Sequence, residues 1–198
     1  MSAERTDRFA QSFSENASKV LGSPKFGTEM KAADDSHPSD AAAAFRESMR
    51  HELNGGLSKI EHCLRQLDDA GVWWRPVPEM NSIANLLLHL SGNLRQWIVC
   101  TVGGECDHRN RQAEFDDRSQ RPKAELLATL KTTVADVDRV LASLSAQRLI
   151  ERVKPQGYDT HVAGAITHSV THFCGHVQEI IHMTREQMRE RYQFKLVL

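Results

Sequence analysis

The chain has 198 residues, with 25 Lys and Arg against 26 Asp and Glu, and a formal net charge of -1. This balance lacks the excess of positive charge that nucleic acids and anionic membranes attract, so composition argues against both as partners. The apolar runs are too short to span a bilayer and the first residues lack the apolar core of a secretory signal, so a cytoplasmic location is expected.

The first 40 residues differ in composition from the rest of the chain. They are rich in Ser, Ala, Asp, Lys and Gly, and the segments GSPKFG (22–27) and DDSHPSD (34–40) interrupt any regular element. We therefore predict a mobile N-terminal tail or docking arm over residues 1–40, followed by one helical domain over residues 41–198.

A first helix is predicted from residue 41 to about residue 67, with Asp40 as its N-cap. Its apolar residues recur at spacings of three, four and seven. Gly55 and Gly56 would each cost this helix about 1 kcal/mol relative to alanine. The pair therefore marks either a kink or the close approach of a neighbouring element.

A second helix is predicted over NSIANLLLHLSGNLRQWIVC (81–100), with Asn81 or Ser82 as N-cap. Residues 101–120 are rich in Gly, Asp and Arg and form an unusually long connection. A third helix is expected to begin at Pro122 and end near residue 144, and a fourth to run from about residue 160 to about residue 192. Four amphipathic helices, one long connection and no credible strand predict an all-α, four-helix bundle.

Histidines in two of these helices suggest a metal site. His172 and His176 are four residues apart, so they lie one turn apart on the same helix face, where two imidazoles grip one cation. His89 in the second helix has a similar offset from its own apolar stripe, so packing of the two helices could bring the three together, although periodicity alone does not show that it does. His168 and His51 are further candidates, as additional ligands or as partners of a ligand.

Three neutral imidazoles suit zinc, nickel, iron or copper and leave one coordination position open for water or substrate. The alternative is that these histidines are ordinary interior or surface residues that bind no metal.

Five segments give the chain a resemblance to a known superfamily: KIEHCLRQL, VWWRP, NSIANLLLHLSGNLRQWI, VGGE and ITHSVTHFCGHVQEII. From about residue 45 to residue 184 the chain resembles the DinB-like (YfiT-like) superfamily, and within it a poorly characterised bacterial branch. The resemblance implies an up-down-down-up bundle in which residues 101–120 cross between helices 2 and 3. It also implies a metal held by His89, His172 and His176. In one place the chain departs from the pattern, because Val177-Gln178-Glu179 replaces the usual Gly-Gln after the last histidine.

The resemblance implies either a metal-dependent hydrolase or a transferase that uses a low-molecular-weight thiol, acting on a small molecule, and a homodimer. Zinc or nickel suits the site best, with iron and manganese as alternatives. We assign Glu179 as the catalytic proton acceptor, and Arg95 or Arg111 as the anchor for a carboxylate on the cosubstrate. The alternative is a non-catalytic dimeric bundle that binds a metal or a small ligand.

Overall fold

The computed structural model describes residues 38–194, and these form a bundle of four long helices with short elements between them. In chain order the α-helices are α1 (Pro38–Gln66), α2 (Asp69–Trp73), α3 (Ile83–Leu94), α4 (Arg111–Asp116), α5 (Lys123–Ser143), α6 (Ala146–Leu149) and α7 (Val162–Met188). A π-helical segment, Arg95–Cys100, continues α3, and 3-10 turns cover Pro155–Gly157 and Arg189–Arg191. The bundle prediction is confirmed.

The helix ends agree with the sequence prediction to within a few residues. Ser82 is the N-cap of α3, and its hydroxyl and the side chain of Asn85 form a reciprocal capping box. The first helix begins at Pro38 rather than after Asp40, because proline suits a first helical turn and Asp40 complements its dipole. The remainder of the predicted N-terminal tail, residues 1–37, lies outside the described residues.

The expectation that the chain has no strand is wrong in one detail. β1 (Arg152–Val153) pairs antiparallel with β2 (Thr160–His161), with Arg152 opposite His161 and Val153 opposite Thr160. Strands of two residues are too short to show the alternation by which a strand is recognised in a sequence. This small hairpin closes the connection between α6 and α7.

Ion pairs show that α1 and α5 run antiparallel. Arg50 Nε lies 2.6 Å from Asp138 Oδ1, and Lys131 Nζ lies 2.7 Å from Glu61 Oε1. A residue later in α1 thus meets a residue earlier in α5.

The last helix runs parallel to the first. Glu52 lies beside Cys174, with 4.0 Å between Oε2 and Sγ, and ten residues later His62 shares a cleft with Arg185. Both helices therefore advance together along their shared interface.

The direction of α3 completes the arrangement. His89 lies against His172, whereas Asn93, one turn later, accepts a hydrogen bond of 2.8 Å from the earlier Ser169. Helix α3 is therefore antiparallel to α7 and parallel to α5. The order is up, down, down, up, as predicted, and residues 101–122 must return along the bundle between two parallel helices.

The core lies between the four long helices and is lined by their apolar stripes. The stripe of α5 is buried, so it is not available as a subunit contact surface: it comprises Leu126, Leu130, Val134, Val137 and Leu141. Within residues 38–194, none of the helices combines the length and apolar character needed to cross a bilayer.

The glycine pair in α1 marks a close approach by α7, not a break, since α1 is continuous from Pro38 to Gln66. A Cβ at Gly56 would lie 2.5 Å from Cε1 of the fully buried Phe173 and 3.2 Å from Val177 Cγ2, whereas one at Gly55 would meet nothing within 4 Å. Of these two positions, only position 56 requires glycine.

We expect Gly56→Ala and Gly55→Ala to change stability in opposite directions. The first substitution overpacks the α1–α7 contact and should cost about 1–3 kcal/mol. The second replaces glycine in an open helix position and should stabilise the protein by about 0.5–1 kcal/mol. Urea unfolding of both variants measures the difference. Equal shifts would contradict the proposed close contact.

Candidate metal centre

Antiparallel packing of α3 and α7 brings three histidines together. One ring nitrogen from each of His89, His172 and His176 lies within 4.8 Å of the other two. His89 Nε2 is 2.8 Å from His172 Nε2, and the rings of His172 and His176 have centroids 4.5 Å apart. Nitrogens bound to one zinc ion lie about 2.0–2.1 Å from it, and hence roughly 3 Å from each other, so this spacing fits a shared ion.

The surroundings of His172 favour its neutral imidazole, which is the form that binds metals. His89 is buried, and His172 and His176 are partly buried. Burial, followed by the neighbouring His176 and His89, lowers the pKa of His172 from 6.5 to about 4. At neutral pH the His172 ring is therefore uncharged, with a lone pair available.

A buried ion pair between Arg109 and Glu114 contacts the edge of the His89 ring that points away from His172. Glu114 Oε2 lies 2.9 Å from His89 Nδ1. Arg109 donates to both oxygens of the same carboxylate, from Nε at 2.6 Å and from Nη2 at 2.8 Å. Burial alone would raise the pKa of Glu114, but the hydrogen bonds from Arg109 and His89 outweigh it and lower that pKa. The ionised carboxylate accepts the Nδ1 proton and leaves the Nε2 lone pair facing His172.

The approach of Glu114 to the ring depends on a glycine and an asparagine of α3. A Cβ at Gly92 would lie 2.0 Å from Glu114 Oε1, so a side chain there would displace the carboxylate. Asn85 Nδ2 donates to the backbone oxygens of Glu114 at 2.8 Å and of Asp117 at 3.2 Å, while Asn85 Oδ1 accepts from Arg75 at 2.6 Å. These contacts anchor α4 to the helix that carries His89.

A second carboxylate orients the third histidine. Glu179 Oε2 lies 2.7 Å from His176 Nδ1, one turn further along α7. The hydrogen bond to His176 lowers the pKa of Glu179 against the opposing effect of burial. Two of the three histidines thus have Nδ1 on a carboxylate, the usual arrangement around metal-binding imidazoles.

The other two candidate histidines lie outside the cluster. His168 is exposed and stacks on Trp97, with ring centroids 4.2 Å apart. It is also parallel to His172, with centroids 6.2 Å apart. His51 is exposed on α1. Neither belongs to the group of nitrogens that share one position.

The two candidate arginines differ in their surroundings. Arg95 pairs with Glu105 at 2.6 Å and with Asp136 at 3.6 Å, so its charge is already matched. The exposed Arg111 lies over the ring of Phe115 at 4.8 Å, and that ring is 4.7 Å from the ring of His89. Arg111 therefore contacts an aromatic ring that itself contacts His89.

Sequence reasoning missed Arg109 and Glu114, both of which belong to the long connection. Charged residues are common in such loops, so these two carry no distinctive local signal. Two indirect signals are present in the sequence: the connection is unusually long, and a glycine, Gly92, lies inside the predicted second helix three residues after His89. A glycine inside a helix often marks the close approach of another element.

Comparison with known proteins supports the assignment of the fold. Residues 40–197 match the family described as "Protein of unknown function (DUF1572)". No curated protein matches the chain.

Two solved structures are similar to this chain. One is a DinB-like protein from Bacillus cereus ATCC 10987, with 10% sequence identity, a TM-score of 0.59, and coverage of 73% of this chain and 91% of the other. The second is a DinB-like protein from Bacillus subtilis, with 13% identity, a TM-score of 0.55, and coverage of 76% of this chain and 96% of the other. At these identities the similarity shows the fold. The chain therefore belongs to the DUF1572 family and has the DinB-like helical-bundle fold.

Proposed function

We propose that His89, His172 and His176 hold one divalent transition metal ion with an open coordination position, and that the protein is a metal-dependent enzyme. The observation that carries the proposal is the convergence of three imidazole nitrogens within 4.8 Å. Three nitrogen ligands suit zinc or nickel best, with iron and manganese as alternatives. Because three protein ligands do not complete a tetrahedral shell, water or a substrate group has a place to bind.

The reaction class that fits such a site is hydrolysis of a small ester or amide, or transfer of a low-molecular-weight thiol to an electrophile. A bound cation supplies Lewis acidity, which favours the deprotonated form of water or of a thiol. Glu114 and Glu179 hold the protons on Nδ1 of His89 and His176 and keep both rings oriented. The remaining oxygen of Glu179 is our candidate proton acceptor.

Arg111 is our candidate anchor for a carboxylate on the substrate or thiol cosubstrate. Its guanidinium lies over Phe115, which in turn contacts the ring of His89, and this connection to a proposed ligand supports the choice. Guanidinium binds carboxylates through two parallel hydrogen bonds, which would also fix the orientation of the cosubstrate. Arg95 is a second candidate for the same role, but a substrate carboxylate would have to compete with Glu105 and Asp136 for its guanidinium.

Metal analysis followed by activity assays tests the proposal. The purified protein should contain one metal ion per chain, and a panel of small thiols with monochlorobimane, run beside a panel of esters, should reveal turnover. Chelation should abolish that turnover and the same metal should restore it. A protein that binds no zinc, nickel, iron or manganese would contradict the metal site.

The alternative function is a non-catalytic dimeric module that binds a metal or a small ligand. It draws support from three exposed apolar side chains within seven residues: Trp74 is 37% exposed, Val77 47% and Met80 48%. Exposed apolar groups close together suit a contact between subunits. Light scattering measures the mass in solution, and a metal-loaded dimer inactive on both panels would favour this alternative.

We expect Glu179→Gln to weaken metal binding about 10–100-fold, the usual effect of removing a group that orients a ligand. The amide oxygen of glutamine can still accept a hydrogen bond from His176 Nδ1, but without the negative charge that makes the carboxylate the stronger acceptor. Calorimetric titration with zinc measures the change. Glu186→Gln is the matched control, because Glu186 is exposed on the same helix. Equal affinities of the two variants would show that Glu179 is only a surface residue.

A further inference from the structure

The hairpin before α7 contains an unusual backbone conformation. Gln156, in the 3-10 turn Pro155–Gly157, has φ 52° and ψ 26°, and Gly157 follows with φ 82°. Glycine adopts positive φ freely, whereas a residue with a Cβ does so at a cost and persists there when its surroundings hold it. The contacts of the Gln156 side chain are therefore informative.

The Gln156 amide reaches the outer side of the metal centre. The amide is assigned the orientation that puts its oxygen, rather than its nitrogen, 3.1 Å from Arg109 Nη1 and 3.3 Å from Trp97 Nε1, because both of these groups are hydrogen-bond donors. In this orientation the same oxygen also faces Gln96 Oε1, and Arg109 Nη1, which donates to Gln96 Oε1 at 2.9 Å, lies beside both amide oxygens. Both Gln96 and Trp97 lie in the π-helical segment Arg95–Cys100. Such segments are frequent at functional sites.

Both donors lead to ligands of the proposed metal. Arg109 holds Glu114 through two hydrogen bonds, and Glu114 holds His89 Nδ1. Trp97 is buried and stacks on His168, which is parallel to His172. The exposed Gln156 amide is therefore connected to two of the three histidines: to His89 through Arg109 and Glu114, and to His172 through Trp97 and His168.

We propose that Gln156 is a positioning residue for the metal centre: its amide fixes Arg109 and Trp97, and through them the orientation of His89 and His172. This inference rests on the proposed metal binding. The backbone cost at Gln156 is then the cost of placing its amide between the two donors. A glycine at this position would fit the turn better and lose the amide.

Two substitutions separate the side chain from the backbone. Gln156→Gly relieves the positive φ and removes the amide. Gln156→Asn keeps an amide and a residue that tolerates this conformation, but it is one methylene too short to reach both donors. Zinc titration by calorimetry and thermal unfolding without metal would be measured for wild type and for both variants.

We expect both variants to bind zinc more weakly, on the order of 10-fold, the lower end of the effect of removing a group that orients a ligand. The unfolding midpoint of Gln156→Gly should not fall below that of the wild type. The indole N–H resonance of Trp97 should shift in both variants. The indole of Trp73, which donates to the Arg121 carbonyl oxygen at 2.9 Å, serves as the unshifted control.

The outcomes distinguish this inference from the proposed function. A wild-type protein that binds no metal would overturn the metal site, and this inference with it. A wild type that binds zinc, with both variants of equal affinity, would overturn only the role of Gln156. A lowered unfolding midpoint with unchanged zinc affinity would likewise show that Gln156 supports the hairpin and not the site.

Discussion

His172→Ala should remove the metal from the purified protein. His172 is the central member of the cluster, since its Nε2 is 2.8 Å from that of His89 and its ring is 4.5 Å from that of His176. If the free energy of a four-ligand zinc site, about 10–16 kcal/mol, is shared evenly, one lost ligand weakens binding on the order of 10²–10³-fold. Elemental analysis after gel filtration measures the remaining metal.

The control for this substitution is His182→Ala, later on the same helix. His182 is exposed and lies outside the group of converging nitrogens, so this variant should keep its metal. Metal retained at one ion per chain in His172→Ala would contradict the three-histidine site. It would also remove the basis for the proposed enzyme.

Glu114→Ala should destabilise the fold and weaken metal binding together. The side chain of Arg109 is only 5% exposed. Removal of the Glu114 carboxylate leaves this buried guanidinium without its charged partner. Breaking one side of a buried ion pair costs about 3–5 kcal/mol. His89 also loses the acceptor of its Nδ1 proton, so zinc affinity should fall about 10–100-fold. Urea unfolding without metal and zinc titration measure the two effects separately.

A double variant separates the loss of stability, which comes from the unpaired charge of Arg109, from the loss of zinc affinity, which comes from His89. Arg109→Met combined with Glu114→Leu replaces the pair by apolar groups of similar size, which often restores stability. Its zinc affinity should stay low because His89 still lacks an acceptor. Asp159→Ala is a surface control, since the exposed pair of Asp159 with Arg152 should contribute no more than about 1 kcal/mol. A Glu114→Ala variant as stable as Asp159→Ala would contradict the buried role of Glu114.

The sequence predicted the four long helices closely because each depends on local signals. The capping box at Ser82 and the apolar period of α3 lie within a dozen residues of each other. Pro122 likewise precedes α5 directly. The two-residue strands were not predictable in the same way, since their pairing joins Arg152 to His161 across a loop.

The position of each histidine on its helix was also readable from the sequence. His89 and the pair His172 and His176 all lie at the edge of a buried stripe, so two packed helices could present them to one point. Whether they meet depends on the relative register of α3 and α7, which the pairing of Asn93 with Ser169 shows in the structure. The sequence therefore supplied the candidates, and helix packing selected three of them over His51 and His168.

The amino-acid sequence alone determined the helical period, the buried faces and the histidine pair of α7, because these follow from residues a few positions apart. Only the tertiary structure decided which groups stand behind the imidazoles. Glu114 and Arg109 lie in the crossover, 25 and 20 residues after His89. Gln156 lies in the hairpin, 67 residues after His89. Packing, capping and chain length together determine the path of a loop over a bundle. No local sequence pattern therefore predicts where the side chains of the loop will point.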